Sequence, residues 1–261
     1  MNRLVAVTLI ALASCVQSTG GQLIEFNATA SGPEDAFAGQ PYTFTSAADY
    51  SVTLTVAKLF VGAVYLNQSN PANYTGETAC ILPGIYSGEV KGSLLIDALD
   101  PRPQPFDVKG VGTDAPTLAG ELWLTAGDVN ANNEQTHVLF VEGTASKNGT
   151  SYPFTASFTI GANRRVPASD ALPGSNPLCK QRIVSPIATT LTLSQGGTLN
   201  LRIRPKKWFE SVEFSQLAQN LDAPGSYVFT NAQTSRQPDI ALYEGFRANS
   251  GPYEFSFRPG R

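Results

Sequence analysis

Polar and apolar positions alternate along much of this chain. Ser51, Thr53 and Thr55 interleave with Val52, Leu54 and Val56; Phe154, Ala156, Phe158 and Ile160 interleave with Thr155, Ser157 and Thr159. Leu199, Leu201 and Ile203 do the same with Asn200, Arg202 and Arg204. A period of two puts one apolar and one polar face on an extended strand, the mark of a half-buried antiparallel sheet. Shorter strand patterns are expected at 24–28, 42–45, 59–66, 85–90, 93–98, 106–109, 118–125, 137–143, 187–193, 227–230 and 253–257. Asn148-Gly149 between two strand patterns predicts a tight hairpin, and Gly196-Gly197 predicts another. Helical spacing is confined to 239–247, which follows Pro238, with 207–215 mixing both periods. The expected fold is therefore all-β: an antiparallel β-sandwich of about a dozen strands with one or two short helices near the C-terminus.

Composition narrows the functional classes. Only 15% of the 261 residues are charged and the net charge is -3. That leaves no field to gather phosphate backbones, so nucleic acid is not an expected partner. The one sizeable basic cluster is Arg202, Arg204, Lys206 and Lys207 beside Trp208. On the outer face of a strand such charge discourages edge pairing, and it would also suit acidic lipopolysaccharide or a protein partner.

Arg3 precedes a short apolar stretch over residues 4–13, which ends in small residues. Ten residues span about half of a hydrocarbon core that needs roughly 20, so the pattern reads as an export signal rather than a membrane helix. Leu12-Ala13-Ser14-Cys15 resembles the lipobox of bacterial lipoprotein signal peptides. The resemblance implies a diacylglyceryl group on the Cys15 sulfur, cleavage before Cys15 and a further palmitate-type acyl chain on the new amino end. Several acyl chains anchor far more firmly than one. Val16 in place of Asp implies sorting to the outer membrane. Residues 1–14 are then the signal peptide, 15–21 a flexible tether and 22–261 one β-sandwich domain, with 161–178 a crossover loop that could instead divide it.

With Cys15 lipidated, Cys80 and Cys179 remain, and a disulfide between them is expected in an oxidising compartment. It would close a loop of about 100 residues, for which chain entropy gives up to ~4.7 kcal/mol. Neither cysteine has the spacing of a redox or zinc motif.

Candidate chemistry is sparse. His137 is the one histidine and opens a strand pattern, with no Gly-x-Ser-x-Gly elbow in the chain to supply a nucleophile. Asp128, Asn130 and Asn132 offer oxygen at alternate positions, as a loop that wraps calcium does, although the twelfth position is Leu139 rather than Glu; a plain hairpin loop is the competing reading. Trp123 lies in Glu121-Leu122-Trp123-Leu124-Thr125. With Leu122 and Leu124 inward, Trp123 would share the outer face with Glu121 and Thr125 as a stacking platform for a sugar ring, unless neighbouring segments cover it. Glycoside cleavage would need two carboxylates from Glu121, Asp128, Glu134 and Glu142, and no spacing selects a pair.

Residues 50–66 (YSVTLTVAKLFVGAVYL) resemble the strand region of MbnP-like periplasmic copper proteins, lipoprotein-type sandwiches that accompany outer-membrane receptors. The resemblance implies an architecture, and the chain departs from it in having a single histidine to offer copper.

The reading that results is a lipid-anchored envelope β-sandwich acting as a binding or structural module without catalysis, in contact with the membrane and with a protein or glycan partner. Its rivals are a carbohydrate-binding module using Trp123 with calcium as a cofactor, a hydrolase with dispersed carboxylates, and an accessory subunit of an outer-membrane transporter.

Overall fold

The computed structural model describes residues 22–69, 84–126, 134–162, 181–230, 237–248 and 250–260. In chain order the strands are β1 (Leu23–Ser31), β2 (Tyr42–Thr45), β3 (Ser51–Val61), β4 (Ala63–Asn67), β5 (Tyr86–Val90), β6 (Leu94–Asp97), β7 (Gln104–Pro105) and β8 (Gly110–Thr113). They continue with β9 (Pro116–Leu124), β10 (His137–Lys147), β11 (Thr150–Thr159), β12 (Ile183–Thr192), β13 (Thr198–Ile203), β14 (Ala218–Gln219), β15 (Tyr227–Phe229) and β16 (Tyr253–Arg258). One sheet runs β12-β9-β4-β5-β8-β1-β13-β16, with β7 also on β1; the other runs β14-β15-β11-β10-β3-β2, with β6 also on β3. A hydrophobic cluster drawing on both, from Ile24 through Leu59 and Phe158 to Phe255, fills the space between the layers. The all-β sandwich expected from the sequence is the fold observed.

Among the described residues pairing is antiparallel except at two ladders. β1 lies parallel to β13, and β11 lies parallel to β15. Asn148 and Gly149, with φ of 52° and 80°, make the expected hairpin between β10 and β11. Gly196-Gly197 does not make one. Its backbone is taken up by β1, Gly196 N–H donating to Glu25 O and Gly197 O accepting from Asn27 N–H, so the chain turns from β12 at one edge to β13 beside β1. The strand expected at 106–109 is also absent. Pro105 has no N–H with which to extend β7, Phe106 N–H donates to Ala28 O, and pairing resumes only at Gly110.

Gly62 carries the chain from one sheet to the other. Val61 belongs to the second sheet and Ala63 to the first, so what reads as one strand at 59–66 is two. Odd-numbered Ala57, Leu59 and Val61 are in the core before the crossing, and even-numbered Val64 and Leu66 after it. A Cβ at Gly62 would lie 2.4 Å from Thr125 Cγ2 and 2.9 Å from Thr125 O.

The ambiguous stretch at 207–215 resolves into two 3-10 turns, Pro205–Phe209 and Phe214–Gln216. Their aromatic side chains explain the mixed period, because Trp208, Phe209, Val212 and Phe214 are all fully buried. Phe209 stacks on Phe214 at 5.9 Å, and Phe154 sits 5.1 Å from Phe214 and 5.6 Å from Phe229. Such ring pairs are worth about 0.5–1.5 kcal/mol each beyond their buried area. The helix Gln237–Phe246 covers this cluster, with Leu242, Tyr243 and Phe246 buried. Gly245 permits the approach, since a Cβ there would lie 2.2 Å from Trp208 O. Asp239, in the helix's first turn, is buried and accepts from Thr230 N–H at 2.7 Å and from its hydroxyl at 2.9 Å.

Buried Tyr42 on β2 donates its hydroxyl to Asp35 Oδ1 at 3.1 Å. Burial, the Asp35 charge and this hydrogen bond push the phenol from 10.0 up to about 12. Between those values the folded chain keeps a proton that the unfolded chain has lost, so stability falls as pH rises through that window. Tyr42→Phe is expected to cost about 1 kcal/mol at neutral pH and to lose stability less steeply with alkali, as read from urea unfolding at a series of pH values. An unchanged alkaline slope would show that Tyr42 is not responsible.

Candidate functional site

β9 is an internal strand, and its two faces differ. Leu122 and Leu124 join the main core, whereas Trp123 forms a separate cluster with Ala63, Tyr65 and Val184 on the outer face. Register dictates those neighbours: Trp123 lies opposite Ala63 of β4 and Val184 of β12, and Glu121 lies opposite Tyr65. Tyr65 packs at 4.3 Å from Trp123, Tyr86 packs at 5.1 Å from Tyr65, and the Arg182 guanidinium lies 3.5 Å from the indole centroid. Trp123 Nε1–H donates to Glu121 Oε2 at 3.1 Å.

Of the two readings of Trp123, the structure shows the covered one and not the open platform. Trp123 is 7% exposed and Glu121 0%, with Tyr65 of the flanking β4 and Arg182 packed against the indole. The face is a stack in which a buried cation and a buried carboxylate both touch one indole. Burial pulls the Arg182 guanidinium below its usual pKa, against the pull of Tyr65, Glu121 and Tyr86. Tyr86 is pushed up to about 12, first by burial and then by the Glu121 charge.

An open site lies on the outer face of the second sheet. There β10 carries a bulge at Val138: His137 pairs with Thr159 but Leu139 pairs with Phe158. The extra residue turns both Val138 and Leu139 into the core, each 1% exposed, and so sends His137 outward when strict alternation would bury it. His137 Nδ1 then lies 2.8 Å from Ser157 Oγ, and the hydroxyl is the imidazole's hydrogen-bond partner among the described residues.

Phe140 stands in the next outward position, between Lys58 of β3 and Ser157 of β11. Phe60 pairs with Leu95 of β6 alongside. Leu95 is 54% exposed and Phe140 36%. Together these residues wall a groove of about 540 Å3 whose lining is mostly carbon, with Lys58, Thr136, His137 and Ser157 as its polar points. Lys58 Nζ is held by Asp97 at 3.1 Å, which fixes the ammonium at the rim.

A groove of this size, apolar with a few polar groups placed at its edge, is the ordinary form of a small-ligand site. Sequence reasoning located His137 and the strands but not the groove. The signal was the unbroken apolar run Val138-Leu139-Phe140-Val141, where alternation fails.

Of the other expected site residues, Cys15, Cys80, Cys179, Asp128, Asn130 and Asn132 lie outside the described residues, so the lipid, disulfide and calcium assignments fall there too. Among the described residues no three His, Cys, Asp or Glu side chains gather as a metal would require, and no helix is long and apolar enough to cross a membrane.

No family model matches the chain, and no curated protein matches it. Among solved structures the chain is similar to MbnP from Methylosinus trichosporium, at 11% identity and a TM-score of 0.42 over 91% of this chain and 98% of that one.

Removing Arg182 would leave the Glu121 carboxylate buried against a neutral site. Arg182→Met is expected to cost about 3 kcal/mol in urea unfolding. The pair Arg182→Met with Glu121→Gln should lose clearly less than the two single losses added together. Simple additivity would show that the two charges are not coupled.

Proposed function

We propose that this chain is a non-catalytic binding module of a bacterial envelope, held at the membrane through an acylated Cys15, with the groove of Phe60, Leu95 and Phe140 as its ligand-contacting surface. The observation that carries the reading is the set of outward aromatic and aliphatic side chains on a strand face that would otherwise be polar. Its occupant has an apolar ring or chain, which lies against Phe60, Leu95 and Phe140, and a polar group that reaches Ser157, His137 or the Lys58 rim. Among the described residues His137 has the Ser157 hydroxyl as its hydrogen-bond partner, which suits it to hold a ligand's polar group. Anchoring is supported by the Leu12-Ala13-Ser14-Cys15 motif and by the short tether after it.

Titrating the full chain carrying Cys15→Ser, free of lipid, with a naphthylamine probe tests the groove. Saturable fluorescence enhancement is expected, and Phe140→Ser should weaken it about tenfold, the cost of losing a buried ring contact. Leu221→Ser removes a side chain that is 93% exposed elsewhere and should leave the enhancement unchanged. Equal binding by the Phe140 variant would overturn the site.

The anchor is tested separately by fractionation of bacterial cells. Wild-type protein should sediment with membranes and Cys15→Ser should not. A variant that sediments like wild type would end the lipoprotein reading.

A further inference from the structure

The outer face of the first sheet carries a second recess, on β1, β13 and β16. Register sets out its floor as rows across three strands: Asn27, Thr198 and Arg258 in one, then Thr29, Asn200 and Ser256, then Ser31, Arg202 and Glu254. Polar groups therefore recur about 4.8 Å apart across the strands and about 6.7 Å apart along them. Pro101 and Pro103 rise beside β1 as a wall, held there because Gly32 N–H donates to Asp100 O and β7 pairs with Thr29 and Ala30. The recess encloses about 380 Å3.

Two neighbouring rows are already joined at Asn200. Thr29 Oγ1–H donates to Asn200 Oδ1 at 3.0 Å, and Asn200 Nδ2–H donates to Ser31 Oγ at 3.2 Å, with Ser31 1% exposed at the base. These bonds fix the Asn200 amide before any ligand arrives. Thr198, Ser256 and Arg258 form the adjoining corner and have no side-chain partner among the described residues. Arg202 pairs with Glu34 at 3.2 Å, and that carboxylate is 81% exposed. Glu254 on this face is held by Arg204, and Glu25, one outward step before Asn27 on β1, is held by Lys109 at 3.4 Å.

We infer that this recess binds an acidic saccharide, with a sugar carboxylate on the Arg258 guanidinium and ring hydroxyls on Thr198, Asn200 and Ser256. A guanidinium fork matches a carboxylate in two parallel bonds. Neutral hydroxyl and amide groups on a regular grid match the hydroxyls on a pyranose edge, while the proline rings offer carbon surface to its C–H face. A phosphate or other small anion would use the guanidinium and leave the rest of that corner idle. The inference is independent of the apolar groove, which lies on the other sheet.

Isothermal titration of the full-length protein with tetragalacturonate, its methyl ester and inorganic phosphate tests it. The acid should bind saturably, and either methyl esterification or Arg258→Gln should weaken binding about tenfold, the cost of one charge-assisted contact. Arg258 is exposed, so its variant should keep the wild-type melting temperature, and Lys91→Gln, outside the recess, should keep wild-type affinity. The inference is overturned by no saturable heat, by equal binding of the ester, or by an Arg258→Gln variant that binds like wild type. Phosphate binding as tightly as the oligomer would also overturn it, since a bare anion site needs no hydroxyl grid.

Discussion

The crossing at Gly62 is the constraint on which the rest of the molecule hangs. One ribbon, β3 to β4, serves both sheets, and only one residue separates its two halves. At that residue the inward set changes from odd to even positions, and a side chain would collide with Thr125. Alternation on either side of this switch then decides which of the residues next to it face water on each layer. It puts Lys58 and Phe60 on the outside of one sheet and Tyr65 on the outside of the other.

Each outer surface inherits its character from that assignment and from the neighbours that register supplies. Around Tyr65 the neighbours are Trp123, Tyr86 and Arg182, and the indole and guanidinium are buried there while Tyr86 stays exposed. Around Phe60 they are Leu95 and Phe140, which leave a trough. Across β1, β13 and β16 they are polar, short in the middle and flanked by Arg202 and Arg258, and the Pro101 to Pro103 wall gives them depth. In a chain this poor in charge, three surfaces of one sandwich differ through side-chain size and hydrogen-bonding capacity more than through net charge.

Alternation and turn chemistry made the fold class and most strands legible, including β2 and the Asn148-Gly149 hairpin. What stayed hidden depends on contacts between distant segments. Gly62 reads as a residue within one strand until Thr125 is placed against it. The bulge at Val138 leaves only a broken alternation over 138–141, which does not say where the extra residue sits, so the outward turn of His137 toward Ser157 needed the partner strand to be seen. Trp123 was correctly assigned to the face opposite Leu122 and Leu124. Whether that face was open depended on Tyr65 and Arg182, which lie tens of residues away in sequence. Gly196-Gly197 has hairpin composition, but its polar backbone atoms are claimed by β1.

The first strand sits in the interior of its sheet, flanked by β8 and β7 on one side and by β13 on the other, with Thr29 reaching across to Leu199, 170 positions later. A chain delivered amino end first, from a ribosome or through a translocation pore, therefore cannot complete this layer until nearly all of it has emerged. Such late closure slows collapse relative to a sandwich built from successive hairpins. The parallel seam between β1 and β13 joins residues about 170 positions apart, so it can form only after β13 has emerged.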